Sequence, residues 1–394
     1  MILNKFYIVI KHGFKFVFKS LFQLTPKPKN IWSFKGFGDL YIDNSMYLFE
    51  YLHDNEHLYK GIRLIWLTAD PNTFLKVKKR GYQVFMRNTM KGKFYLFKSK
   101  YHFYGDYPDY FISNKTLSVN LWHGIGLKKM DFDIKTGPLK SLFDGSFISR
   151  IKRPDIYRKP NFVISSSKYV TKNIFSSAFR VNENNCLNFG YPRNDILFRN
   201  LNNIDILYYR KNNISNRVTN KSKVYIYMPT WRDSGNNFIL DSGIDFEKLN
   251  IKLLETNSFF ILKLHPNTKL NINLEEYSNI FYFPKNIELY NFFNYVDVLI
   301  TDYSSVFFDF LLTRKKIIYF PFDIDDYINE RGFSFDYSEV TISDNTVYNF
   351  KELLVEMVKE DNFSVKYKQI TNKIWDIKDG NAAKRISDFF FNLD

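Results

Sequence analysis

The chain is poor in the residues that mark several protein classes. It has one cysteine, Cys186, in 394 residues, so no intramolecular disulfide forms and a disulfide-stapled secreted domain is excluded. Between Asn185 and Leu187 that thiol reads as a small hydrophobe in a reducing compartment. Glycine (16) and proline (12) are too scarce for a collagen-like or low-complexity chain. Histidine occurs only at His12, His53, His57, His102, His123 and His265, never in an HExxH context and without a cysteine cluster, which argues against a dedicated zinc site. A P-loop, a GxSxG elbow and a GxGxxG fingerprint are all absent, against a P-loop NTPase, an α/β-hydrolase and a dinucleotide dehydrogenase. Apolar runs are short and broken by lysine, so none is long enough to span a bilayer. Acidic residues are missing altogether from residues 1–30.

What is present fits a globular protein of two or three domains, with 45% apolar and 25% charged residues. Aromatics reach 19%, from Phe 42, Tyr 28 and Trp 5, an excess that accompanies Lys, Asn and Ile as AT-rich codon bias does. The net charge of +15 is unevenly spread. Residues 1–30 carry +6, 31–60 carry −3, 61–100 carry +9 and 101–160 carry +4, leaving −1 for the remaining 234. Codon bias has no reason to stop at residue 160. A one-sided basic field favours an anionic partner: nucleic acid, acidic membrane or a phosphate-rich substrate.

Residues 3–24 place Lys5, Lys11, Lys15 and Lys19 on one helical arc and Phe6, Ile10, Phe14, Val17 and Leu21 opposite. Closed by Thr25-Pro26, this predicts a basic amphipathic helix over 1–26 lying in a membrane interface. The segment lacks the apolar core and cleavage site of a signal peptide. From residue 27 strand-like and helix-like pieces alternate. Strands are expected at Ile62–Leu67, Tyr82–Phe85, Tyr110–Ser113, Val119–Trp122 and Asn161–Ser165. The Asn/Ser/Lys-rich stretch 202–222 reads as a linker. A second series follows, with strands at Val224–Met228, Phe259–Leu264, Ile280–Phe283, Val298–Thr301 and Ile317–Phe320. The expected organisation is an N-terminal Rossmann-like lobe over 27–201, a C-terminal one over 223–366, and terminal helices over 367–394 that cross back to the first lobe.

Polar residues placed directly after apolar strands carry the candidate chemistry. Val119–Trp122 runs into His123-Gly124-Ile125-Gly126-Leu127-Lys128-Lys129, a histidine followed by two glycines and two lysines. Imidazole is suited to accept a proton near neutrality, while a capping role in a tight turn is the structural alternative. Pro229-Thr230-Trp231-Arg232-Asp233 and Lys263-Leu264-His265-Pro266 repeat the design. Thr301-Asp302-Tyr303-Ser304-Ser305 ends a strand and opens a helix, whose free N–H groups and serine hydroxyls suit a phosphate; plain N-capping is the alternative. Arg331 could complete an anion clamp. The lack of an acidic cluster predicts no required metal, with Mg²⁺ left open as an escort for a diphosphate.

These motifs in this order resemble the CDP-glycerol glycerophosphotransferases of teichoic acid and capsule synthesis. The resemblance rests on SNKTLSVNLWHGIGLKKMDFD (113–133), the segment 161–198 ending in GYPRNDILF, YMPTWRD (227–233), LKLHP (262–266) and the block 286–337 containing TDYSSVFFDF. Asn120, Met228 and Lys316 stand where the family usually has Gln, Ala and Pro, and none touches the proposed chemistry. The resemblance implies an α/β GT-B architecture, two Rossmann-like lobes about a central cleft. It implies transfer of glycerol phosphate from CDP-glycerol to a hydroxyl of a lipid-linked saccharide or growing polyol-phosphate chain, releasing CMP. It makes His123 the candidate base and His265 its partner at the donor phosphates. Ser304, Ser305, Arg331, Arg232, Thr230 and Asp302 become the donor set, and Lys128, Lys129, Arg193 and Asn194 an anion path for the acceptor. The expected location is the cytoplasmic face of the membrane, held peripherally on anionic lipid. A CDP-ribitol donor and a nucleotide-sugar GT-B glycosyltransferase are the alternatives; a basic nucleic-acid-binding module does not call for this residue set.

Overall fold

A computed structural model describes residues 30–137, 139–232, 238–264, 273–284, 287–360 and 365–393. The expected interface helix over 1–26 and His265 lie outside the described residues. The described chain forms two compact α/β units.

The first unit runs to His123, resumes over Asp131–Arg193 and takes in the segment from Asn381. Its seven strands are β1 (Ile31–Lys35), β2 (Arg63–Thr68), β3 (Val84–Met86), β4 (Tyr101–Tyr104), β5 (Leu117–Asn120), β6 (Phe162–Ile164) and β7 (Cys186–Leu187), in the order β3-β2-β1-β4-β5-β6-β7. Every pairing is parallel. Near-continuous apolar runs such as Ile65-Trp66-Leu67 form such strands because helices cover both faces. Helix Pro71–Lys79 starts where Asp70 accepts from Thr73 N at 2.6 Å with proline at the first turn. Helix Ala382–Asn392 closes the unit. Its Phe390 ring sits edge-on to Tyr101 at 5.1 Å and Phe103 at 5.3 Å, and Asp388 accepts from Tyr59 OH at 2.9 Å. Beyond it, the Leu393 carbonyl accepts from Lys100 Nζ at 2.8 Å and Tyr101 OH at 2.9 Å.

The second unit comprises Gly124–Met130 and Asn194–Gly380. Its strands are β8 (Lys223–Met228), β9 (Ser258–Leu262), β10 (Ile280–Tyr282), β11 (Val298–Thr301) and β12 (Lys316–Tyr319), in the order β10-β9-β8-β11-β12, all parallel. In both sheets the strand order reverses beside the first strand, at β1/β4 and β8/β11. Ligands of doubly wound sheets bind at the strand carboxyl ends near such switch points.

Three expectations give way. Tyr110–Ser113 is not a strand: Asp109 folds it into a turn, its Oδ1 accepting from Phe111 N at 3.0 Å and its carbonyl from Ile112 N at 3.3 Å. The strand is instead β4, where His102 lies fully buried among aromatics. The stretch 202–222 is not a bare linker. Asn202 caps helix Asn203–Asn213 by accepting from Asp205 N at 2.8 Å, and the helix buries Arg210 against Asp297 at 2.7 Å. The first unit is also not one unbroken stretch up to residue 201, since Gly124–Met130 belongs to the second; the last helix joins the first unit, in the sense expected of it.

Candidate active site

In the first unit the exit from β5 is a tight, fully bonded turn. Asn120 Oδ1 accepts from Trp122 N at 2.9 Å, and Trp122 takes a left-handed backbone (φ 48°) that a bulky side chain adopts only when held. Asn44, fully buried at the start of helix Asp43–Asp54, does the holding: its Nδ2 donates to Leu121 O at 3.2 Å and Trp122 O at 2.9 Å. Arg193 completes the clamp. Its backbone N donates to Asn44 Oδ1 at 3.2 Å, and its Nη1 donates to the His123 carbonyl and to Asp43 Oδ1, both at 2.8 Å.

The imidazole so placed is half-buried. Its Nδ1 lies 3.0 Å from Gly105 O. A carbonyl can only accept, so Nδ1 carries the proton and the lone pair of the neutral ring sits on Nε2. Burial pushes the His123 pKa below its ordinary value, and Arg193 adds to that; Asp43, the Gly105 carbonyl and Asp106 pull the other way. The ring is therefore neutral at pH 7 with a fixed tautomer, the state a general base needs. Trp122 and Phe37 flank it, with ring centroids at 4.1 and 4.5 Å.

In the second unit the exits of β8, β11 and β12 meet on one guanidinium. Arg232 donates through Nη2 to Asp302 at 2.9 Å, through Nε and Nη2 to Asp323 at 2.7 and 2.8 Å, and through Nη1 to Thr230 O at 2.6 Å. Asp302, wholly buried, also accepts from Thr230 N at 2.8 Å, Thr230 Oγ1 at 2.6 Å and Tyr303 N at 2.6 Å. Burial works against the charge on Arg232, but Asp302 and Asp323 outweigh it and hold the pKa raised. Arg232, Thr230 and Asp302, expected to hold donor phosphates, are thus bound to one another in a buried knot. That knot frames Ser304 and Ser305, which are half-buried at the start of helix Val306–Phe310. Ser305 makes no side-chain cap bond, and Ser304 Oγ accepts from Val306 N at 3.4 Å. Arg331 ends helix Ile324–Arg331; its side chain is outside the description.

The expected anion path is redistributed. Arg193 is only 3% exposed and bonded to the His123 turn, so it anchors rather than lines a path. Asn194, equally buried, donates to Asp309 Oδ1 at 2.9 Å, and Tyr290 OH donates to the other carboxylate oxygen at 2.9 Å. Lys128 and Lys129 belong to the second unit, where Lys129 N donates to Gly332 O at 3.3 Å and Ser334 N donates to Leu127 O at 2.7 Å. Lys128 Nζ lies 3.9 Å from the Tyr327 ring centroid, and Lys129 is exposed. Sequence reasoning missed Asp43, Asn44 and Gly105. The first two are signalled only by an Asp-Asn pair opening a helix, and Gly105 acts through a carbonyl that any residue carries.

A family model described as CDP-Glycerol:Poly(glycerophosphate) glycerophosphotransferase matches residues 17–392. The chain is 29% identical over 351 residues to a teichoic acid poly(glycerol phosphate) polymerase of Bacillus spizizenii, covering 86% of this chain and 85% of that one. It is 28% identical over 419 residues to a teichoic acid glycerol-phosphate transferase of Staphylococcus aureus, covering 99% and 100%. Among solved structures it is similar to the wall teichoic acid polymerase TagF, with a TM-score of 0.76 at 25% identity over 98% of this chain and 97% of that one.

Proposed function

The chain belongs to the CDP-glycerol:poly(glycerophosphate) glycerophosphotransferase family, and from that premise we propose how its residues divide the reaction. The chain transfers glycerol phosphate from CDP-glycerol to a hydroxyl of a membrane-associated acceptor, a polyprenyl-diphosphate-linked saccharide or a growing polyol-phosphate chain, in teichoic acid or capsule synthesis. The acceptor oxygen attacks the glycerol-bearing phosphorus. One P–O bond forms, the bond to CMP breaks with its electrons leaving on CMP, and the acceptor proton passes to Nε2 of His123. The observation that carries this reading is the committed Nδ1 of His123, which leaves a neutral, oriented Nε2.

We read the two α/β units as the lobes of a GT-B transferase, the first meeting the acceptor and the second the donor. Ser304 and Ser305 are assigned to the diphosphate together with Arg331, and His265 to its protonation or hydrogen bonding. Arg232, Thr230 and Asp302 shape that turn instead of touching phosphate. Transfer of this kind depends on positioning and charge stabilisation, which such a set supplies. Among the described residues no helix is long and apolar enough to cross a membrane. Peripheral attachment at the cytoplasmic face is supported by the exposed cations Lys76, Lys78, Lys79 and Arg80 and by the +6 of residues 1–30.

The test incubates the full chain with CDP-glycerol, CDP-ribitol and UDP-sugars in the presence of a lipid-linked acceptor, scoring nucleotide release. CMP release from CDP-glycerol is expected. His123→Ala should lower turnover at least about a hundredfold while CDP-glycerol binding stays near normal. Release of UDP alone overturns the donor assignment, and turnover within a few-fold of wild type removes His123 from its role.

A further inference from the structure

The turn after β1 is strained, heavily anchored, and yet holds an aromatic ring in solvent. Gly38 and Asp39 are both left-handed, with φ 58° and 66°. For Asp39 that conformation persists only because its surroundings impose it. Its carboxylate accepts from Arg87 Nε at 2.7 Å, Arg87 Nη2 at 2.9 Å and Ala69 N at 3.0 Å, and its carbonyl accepts from Thr68 Oγ1 at 2.6 Å. Gly38 N donates to Asp106 Oδ2 at 3.2 Å, and Asp106 is paired with Lys35 at 2.7 Å. The backbone packs closely: a Cβ on Gly36 would clash at 1.8 Å from Leu40 O, and one on Gly105 would be a tight 3.1 Å from Phe37 N.

All this fixes Phe37, a residue that remains 40% exposed. What sets it apart from other partly exposed aromatics is its place: it is held at the protein surface with its ring centroid 4.5 Å from the imidazole of His123. The residue fixing that imidazole, Gly105, is the one that packs against the Phe37 backbone. The exposed ring offers a flat apolar face and no hydrogen-bonding group, so it suits carbon rather than phosphate. Polyols and sugars present such a face through their C–H bonds, next to their hydroxyls.

We propose that Phe37 is the platform for the acceptor's carbon skeleton: the C–H face of the polyol or sugar bearing the attacking hydroxyl stacks on the ring, which steers that hydroxyl to Nε2 of His123. The proposal rests on the reading of His123 as the base.

The experiment uses the full chain and a short synthetic glycerol phosphate oligomer on an alkyl tail as acceptor. Phe37→Ala should raise the acceptor KM about three- to tenfold, the range an aromatic contact supplies, and leave the CDP-glycerol KM and the melting temperature near wild type. Phe37→Tyr should restore the acceptor KM, whereas Phe37→Leu, apolar but without a ring, should not. Calorimetric titration of the oligomer without donor should show the same weakening in Phe37→Ala, independent of turnover. An unchanged acceptor KM in Phe37→Leu, or equal binding of the oligomer to wild type and Phe37→Ala, overturns the platform. Loss of oligomer binding with wild-type chemistry absent from CDP-glycerol would instead sink the reaction assignment and keep the platform.

Discussion

Asn44→Ala puts the link between the His123 turn and catalysis to a quantitative test. The side chain is fully buried, and removing it deletes two donated bonds to Leu121 O and Trp122 O and the acceptor of Arg193 N. Each such bond is worth about 1 kcal/mol net, and the stranded Arg193 amide costs about 1 kcal/mol more, so the loss is about 2–4 kcal/mol. In a unit of this size each kcal/mol lowers Tm by about 2–4 °C, predicting a fall of about 5–15 °C. Without Asn44 the Leu121 and Trp122 carbonyls lose its amide donor, the left-handed turn keeps only the braces from Asn120 and Arg193, and it relaxes. A displacement of about 1 Å at a base costs on the order of a hundredfold in rate. We therefore expect kcat to drop about 10- to 100-fold, read as CMP release well below both melting transitions, with the CDP-glycerol KM within about twofold because the donor residues are assigned to the other unit. Asn44→Asp should be as damaging, since it turns a carboxylate oxygen toward two carbonyl oxygens. A variant that melts as expected but turns over like wild type would reduce the clamp to a stability device; an unchanged Tm would refute the hydrogen-bond accounting itself.

Two further outcomes follow from the electrostatics. A base works while unprotonated, so activity is present above the folded-state pKa of His123 and fails as pH falls through it; burial lowers that pKa, which puts the acid limb of kcat/KM below about 6.5. Asp43→Asn removes the strongest group raising it and frees Arg193 to lower it, so the limb should move further toward acid; a limb above pH 7 in the wild type contradicts the assignment. In the second unit, Asp302→Ala strips a buried guanidinium of one carboxylate, at a cost of about 3–5 kcal/mol. Calorimetry should show a transition at least about 6 °C lower, and a shift under about 3 °C would mean water replaces the carboxylate freely.

The alternation of strands and helices was legible because both sheets are parallel and covered on both faces, so runs such as Val298-Leu299-Ile300 stand out. β4 was not, because His102 interrupts its pattern, and a histidine with Ser33 Oγ 2.9 Å from its Nδ1 can be buried where periodicity reads a break. Helix Asn203–Asn213 hid behind an Asn-rich composition, although Asn202 carries the cap signal. His123 was readable as a strand-end histidine. The partners of Arg193 and Arg232 were not legible, because a basic residue beside a turn looks the same in sequence whether it waits for an anion or already holds Asp43, Asp302 or Asp323. Only the fold brings those carboxylates to it, from far along the chain.

The placement of helix Ala382–Asn392 also sets the order in which the protein can be completed. The first unit receives its closing element from residues that leave the ribosome after the whole of Asn194–Gly380. The unit made first is therefore finished last, against the usual N-terminal-first schedule. Until then Tyr101 and Phe103 lack the Phe390 ring that covers them, and Tyr59 lacks Asp388. A cut or stop codon near residue 380 would strike not the adjoining sheet but the one that carries His123.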